Sequence, residues 1–367
     1  MNEEPIYYAD YLGLNQLLGC QRLESEKHGR TAHDEMLFII VHQAYELWFK
    51  QILWELDALL RLFDSDAVDE RDVGRAVGHL ARIAEIQRVL LQHIDILETM
   101  TPLDFLDFRD DLIPASGFQS VQFRMIENKL GMRPGDRARY SDAHYTSRLE
   151  PEHRASVEAA EATPSLFDHV DAWLTRTPFL QFGAFDFWQA YRAAVDRMLD
   201  ADAAHIADNP MLTPAERQKQ LEKLSTTRTF FDALFDADKH DTLVKEGARR
   251  VSHPALQAAL LIHLYRDEPI LHLPYQFLSL LVTVDENFTT WRYRHALMVL
   301  RMIGTKIGTG GSSGHEYLRQ AAEKNKVFTD LTNLSTYLIP RSALPVLPPE
   351  VRRTMGFHYS EGRGGGV

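Results

Sequence analysis

MLFIIVHQAYELWFKQILWELDALLRLF, residues 36–63, keeps large apolar side chains around most of a helical circumference. That pattern predicts a helix buried on several sides, entered through a polar start at 31–35. Working outward, 72–99 reads as a second helix and 101–113 as a short third, stopped by Pro114. The stretch 138–165 reads as loop, with Pro151 and Pro164 as breakers. Helical periods return at 166–176, 184–206 and 213–236, the last with alternating charges that predict a solvated face. They continue at 254–266, around 273–284, at 286–304 and at 314–335. No stretch alternates as a strand does and no internal repeat is found. The fold class is therefore all-α: a multi-helix bundle in a single large domain over 31–340, with an N-terminal arm at 1–30. A tail at 341–367, rich in proline and ending Gly-Arg-Gly-Gly-Gly-Val, is expected to be partly disordered.

Composition narrows the function. With 45% hydrophobic and 25% charged residues, the 367-residue chain has enough apolar material for a large core and is not a disordered type. A formal net charge of −12 argues against nucleic acid as partner, which needs a basic stripe. Cys20 is the one cysteine, which excludes an intrachain disulfide, a thiolate-rich zinc site and covalent attachment of haem through paired cysteines. The opening MNEEPIYYADYLGL lacks a basic region followed by an apolar core, and no run approaches the ~18 apolar residues of a membrane span. A cytoplasmic protein without membrane contact is expected.

The chemistry concentrates in WRYRHALMVLRMIGTKIGTGGSSGHEYLR, residues 291–319. On a helix Trp291, His295, Met298 and Met302 share one face, so an imidazole projects among two thioethers and an indole. A histidine so placed is either a satisfied core residue or a ligand. The glycine-rich run that follows fails as a phosphate loop, because His315 and Glu316 stand where Lys and Ser/Thr are needed, and as a dinucleotide fingerprint, because Ser313 replaces a glycine. It offers permissive backbone and the hydroxyls of Thr309, Ser312 and Ser313, or else it is a plain interhelical loop.

Two further constellations stand out. Phe38 and His42, four apart, place an aromatic and an imidazole on one surface, with Tyr45 a turn on. Read as one helix, Phe105, Arg109 and Leu112 put a guanidinium between apolar neighbours. Such an arginine either pairs with one of Asp104, Asp107, Asp110 and Asp111 or receives a carboxylate in its planar fork. A di-iron bundle would need two Glu-x-x-His pairs, and only Glu150/His153 fits, with Pro151 inside it. No serine or cysteine nucleophile motif is present.

The motifs YADYLGLNQLL (8–18), HDEMLFIIVHQAYELWFKQILWEL (33–56), TPLDFLDFRDDLIPASGFQSVQFRMIENKLG (101–131), WRYRHALMVLRMIGTKIGTGGSSGHEYLR (291–319) and VFTDLTNLSTYLIPR (327–341) together resemble the tryptophan 2,3-dioxygenase family over nearly the whole chain. The resemblance implies a non-covalent haem b enzyme that adds both atoms of O2 across the indole C2–C3 bond of L-tryptophan, giving N-formyl-L-kynurenine, the first step of the kynurenine route. It implies His295 as the iron ligand, with Trp291 beside it, Gly310 near the haem, and Ser116 near a haem propionate or the substrate. It also implies His42 as the distal catalytic histidine, Arg109 as the carboxylate clamp, and Phe38, Phe105 and Leu112 as the wall of the substrate pocket. Thr309 is implied at the amino-acid end. Tyr8 and Tyr11 are implied to complete a neighbouring subunit's site in a homotetramer. The charged segment around 205–250 matches only the longer members, and its role is not implied. An indoleamine-type haem dioxygenase typically lacks the distal histidine, so His42 argues against it; a haem protein that only binds gas would need no Arg109.

Overall fold

Val41, Tyr45, Phe49, Ile52 and Leu56 recur at three- and four-residue intervals, so a helix sets all five on one side, and all five are buried in the His33–Phe63 helix. The rest of the circumference corrects the sequence reading, since Ile40, Leu47 and Trp54 are 49%, 50% and 72% exposed. Apolar composition alone does not guarantee a packing partner, and within this chain one stripe finds it. The structure, a computed structural model, describes residues 5–65, 67–138, 144–178, 180–304, 306 and 314–356. The all-α expectation holds: the described residues are helical apart from loops and one tiny hairpin, Gln181–Phe182 against Phe185–Asp186, turned by Gly183 at φ 60°. No described helix is long and apolar enough to cross a membrane.

Two compact units are distinguishable. The first comprises Met1–Asp57, Arg82–Thr163 and Val284–Lys326. Its N-terminal segment carries three short helices, Tyr8–Leu12, Leu14–Leu17 and Glu24–Lys27. The last is clasped by the buried carboxylate of Glu35, which accepts from the backbone N–H groups of Glu24 and Ser25 and from the Ser25 hydroxyl. Before it the chain is open, with Tyr8 and Tyr11 70% and 71% exposed.

Several boundaries differ from the sequence reading for local reasons. Residues 101–113 do not form one helix. Thr101 and Asp104 make a capping box ahead of Pro102–Leu106, and then the fully buried Phe108 leaves helical geometry at φ −128° and hands over to a 3-10 turn, Arg109–Leu112. Pro151, read as a breaker, is the first residue of the Pro151–Glu161 helix, where its missing N–H costs nothing. The two helices expected over 273–304 are one, Pro269–Ile303, because the polar Asp285 and Glu286 continue the helix rather than interrupt it. The helix expected over 314–335 stops at Lys324. There Asn325 accepts the Ala138 N–H with its side chain and an Arg292 guanidinium N–H with its carbonyl, holding it out of helical continuation.

The second unit comprises Ala58–Ala81, Pro164–Thr283 and Val327–Val367. Its His253–Leu264 helix is buried on nearly every side, with Ala255, Leu256 and Ala258 to Ile262 at or near zero exposure. The Phe187–Asp208 helix packs on Pro214–Phe235, whose charged face is solvated as expected while Phe231 and Leu234 are buried. The Ala237–Lys245 helix completes the charged segment. Part of the expected tail is ordered: Arg341–Ala343 forms a 3-10 turn and Pro349–Thr354 a helix, because Val351 and Met355 are buried completely. The glycine-rich end of the tail lies outside the described residues.

Candidate functional site

The first unit encloses a cavity of about 370 Å³, lined among others by Phe38, His42, Phe105, Arg109, Trp291 and His295. That size lies in the range of small-molecule and cofactor sites. Six residues singled out in three separate sequence stretches thus meet in one place. Ser116 also lines it, as the N-cap of a 3-10 turn whose Gln119 completes a capping box. Leu112 packs with Phe38 and Phe105 against the buried cluster of Ala32, Met100 and Phe108. Thr309 and Gly310 lie outside the described residues. Tyr8 and Tyr11 are not brought to the cavity of their own chain.

His295 projects from the Pro269–Ile303 helix, its ring stacked on Trp291 at 5.3 Å and 22°. By area it is only half-buried, because its polar edge opens on the cavity, but it sits far from bulk water. Burial accordingly pushes its pKa down to about 4, with the charge of nearby His42 adding to the effect, so the ring is neutral at pH 7. Among the described residues neither ring nitrogen has a hydrogen-bond partner. An unpartnered, neutral imidazole facing a cavity is poised to ligate.

His42 is likewise exposed by area and desolvated by position, the exposed area being cavity wall. Burial lowers its pKa, outweighing its hydrogen bond to Phe38 and the charge of Glu46. Its Nδ1 lies 2.7 Å from the Phe38 carbonyl. A carbonyl only accepts, so Nδ1 carries the proton and Nε2 presents a lone pair. Phe38 lies against the His42 ring at 4.1 Å and against Phe105 and Phe108 at 5.8 and 5.5 Å, forming an apolar wall.

Arg109 enters from the 3-10 turn rather than from a helix face, and that turn is bracketed by Arg30. Its guanidinium donates to the Asp107 carbonyl at 2.6 Å and to the Asp111 carboxylate at 2.8 Å. Asp111, one of the four aspartates near Arg109, is held by Arg30.

Sequence reasoning missed the polar floor. Glu127, on the Val121–Leu130 helix, is buried among three guanidiniums: Arg124 at 3.0 Å, Arg292 at 2.9 Å, and Arg137, its closest partner. Burial opposes its ionisation, but Arg137, Arg124 and Arg292 outweigh that and hold the carboxyl well below the usual range. These four groups sum to a buried excess of two positive charges. Arg124, Glu127 and Arg292 all line the cavity, with Tyr317 beside them, and Arg124 Nε is buried without a hydrogen-bond partner. Glu46, accepting from Ser120 at 2.6 Å and Gln122 at 2.8 Å, fastens this segment to the helix of His42. The one available signal was an Arg and a Glu three apart on one helix, a spacing that surface pairs share.

A family model described as tryptophan 2,3-dioxygenase matches residues 1–338. A tryptophan 2,3-dioxygenase of Bdellovibrio bacteriovorus is 51% identical over 359 residues, covering 98% of this chain and 100% of the relative. One of Alteromonas mediterranea is 49% identical, with 97% and 99% covered, and one of Dictyostelium discoideum 47%, with 98% and 90% covered.

Proposed function

The chain belongs to the tryptophan 2,3-dioxygenase family, and on that premise we propose that its cavity holds haem b through His295 and oxidises L-tryptophan to N-formyl-L-kynurenine, the first step of tryptophan breakdown by the kynurenine route. The observation that carries the reading is the unpartnered, neutral His295 opening on a cavity that His42 and Arg109 also line. No group of three or more His, Cys, Asp or Glu side chains able to hold a metal ion occurs among the described residues, so a lone imidazole suits a metal that brings its remaining ligands with it, as a porphyrin does. The excess positive charge at the cavity floor suits the two carboxylates of haem, with Arg124 and Tyr317 placed to receive them and Ser116 at hand.

When bound, haem supplies the ferrous iron that activates O2, and the overall addition of O2 needs no outside electrons. The chain's own residues bind, orient and exclude water. Arg109 presents a planar fork to the substrate carboxylate, and Thr309 serves the amino-acid end. His42, protonated on Nδ1, accepts the indole N–H at Nε2 and so fixes which edge of the ring meets O2. Phe38 and Phe105, backed by Leu112, form an apolar wall against which the indole packs away from water. A neutral imidazole is far too weak a base to deprotonate indole fully, so His42 accepts the N–H as a hydrogen bond rather than removing its proton.

The exposed aromatics Tyr8 and Tyr11 and the apolar face of Ile40, Leu47 and Trp54 support assembly into a homotetramer, in which the arm reaches a neighbouring copy's site. A cytoplasmic setting without nucleic acid or membrane partners completes the reading. The experiment is an absorption spectrum of the purified protein with and without L-tryptophan, alongside His295→Ala. A Soret band that L-tryptophan perturbs, and that His295→Ala loses or holds weakly without activity, is the expected result. Normal haem content and activity in that variant would refute the assignment.

A further inference from the structure

His42 and Tyr45 stand three residues apart on one helix, and Trp291 and His295 four apart on another. One hydrogen bond joins the two pairs: Trp291 Nε1 donates to the Tyr45 hydroxyl over 3.3 Å, and that hydroxyl donates to the Leu90 carbonyl over 2.6 Å. The direction is forced, because an indole N–H cannot accept and a carbonyl cannot donate. Leu90 belongs to the Glu70–Leu97 helix, so a single buried oxygen ties three helices together. The indole held in this way is the surface on which His295 stacks, and Phe123 lies against the same indole at 5.3 Å. Stacking alone constrains the distance of two rings better than their rotation. The N–H bond supplies what stacking lacks, by stopping the indole from pivoting about its side-chain torsions.

We infer that Tyr45 is a positioning residue for His295, setting the plane of the imidazole through Trp291. The inference rests on the reading of His295 as the haem ligand. Tyr45 makes no contact with substrate in this account; its hydroxyl acts on a ligand ring at one remove, as hydrogen-bonded neighbours of metal-binding histidines do elsewhere.

Tyr45→Phe removes the hydroxyl and keeps the ring packing, while Trp291→Phe keeps an aromatic under His295 and removes the N–H donor. The measurements are the iron–histidine stretching band of the ferrous protein by resonance Raman and the rate of haem loss to an excess of apomyoglobin. Tyr45→Phe is expected to shift and broaden the band and to speed haem loss several-fold, Trp291→Phe to do the same, and the double variant to add nothing to Trp291→Phe alone. An unshifted band with unchanged haem loss in folded, haem-loaded Tyr45→Phe overturns the inference. So does an equal increment from Tyr45→Phe in both backgrounds, which would make the hydroxyl a general brace of the bundle. If Tyr45→Phe does not fold, Trp291→Phe carries the test, and wild-type behaviour there overturns the inference. Failure of the haem reading shows itself separately, as an absent Soret band in the wild type or one undiminished in His295→Ala.

Discussion

Glu127→Gln replaces a buried carboxylate by an amide of nearly the same shape and leaves three guanidiniums without their counter-charge. With charge centres about 4 Å apart and an effective dielectric of about 20, each of the three attractions is worth about 4 kcal/mol before desolvation is set against it. Burial of the carboxylate costs several kcal/mol, so the expected net loss is about 3–5 kcal/mol, the scale for removing one partner of a buried pair. Against a total stability of about 5–15 kcal/mol, the variant folds at 25 °C with a much lower denaturation midpoint. The assay is urea unfolding of wild type and variant across pH. Because the Glu127 carboxyl is held below its ordinary value, its contribution is complete above pH ~4.3 and is lost as pH falls toward the folded-state pKa. The gap between the two proteins should therefore be full at pH 7 and narrow in acid. A loss under about 1 kcal/mol at pH 7, the scale of an exposed ion pair, would refute the reasoning by showing that solvent already screens these charges.

Arg109→Ala is expected to lower kcat/KM for L-tryptophan by about 2–5 kcal/mol of transition-state binding, the scale for truncating a desolvated charge pair; a near-normal value in steady-state kinetics would leave Arg109 a structural role. His42→Ala should be impaired but measurable, and 1-methyltryptophan a poor substrate for the wild type, because the Nε2 lone pair holds the indole N–H. Complete inactivity of a folded, haem-loaded His42→Ala would indicate an obligatory base instead. Deleting residues 1–12 should leave haem bound while raising KM and loosening the assembly. Hybrids of that chain with full-length Arg109→Ala should regain activity, and none in confirmed hybrids, with full activity in the deletion alone, would show that each chain works by itself.

What could be read from the chain was whatever repeats locally. His42 beside Phe38 and His295 beside Trp291 are four-residue spacings, which a helix converts into shared faces whatever else surrounds it. The long helices follow from the same periodicity. The floor of the cavity was illegible because its carboxylate and its cations come from separate parts of the chain. Arg124 and Glu127 look like an ordinary surface pair until Arg137 and Arg292 arrive from ten and 165 residues away. The turn carrying Arg109 was misread as helix because Phe108, which breaks it, is buried against Phe38, Ala32 and Met100 from other segments, contacts that local spacing does not show. Pro151 was misread because proline both ends and begins helices, and only the backbone around it says which.

Arg30 fastens the root of the N-terminal arm to both sides of Arg109, through the Asp107 carbonyl and the Asp111 carboxylate. The arm and the Arg109 turn therefore share an anchor: a displacement of residues 24–30 is felt at the turn, and a displacement of the turn is felt at the arm. Such linkage is reciprocal in free energy. On the proposed assembly, whatever amount docking the arm contributes to filling the Arg109 site, filling that site must return to the docking of the arm, and Arg30→Ala should weaken that coupling, read as oligomer dissociation with and without L-tryptophan.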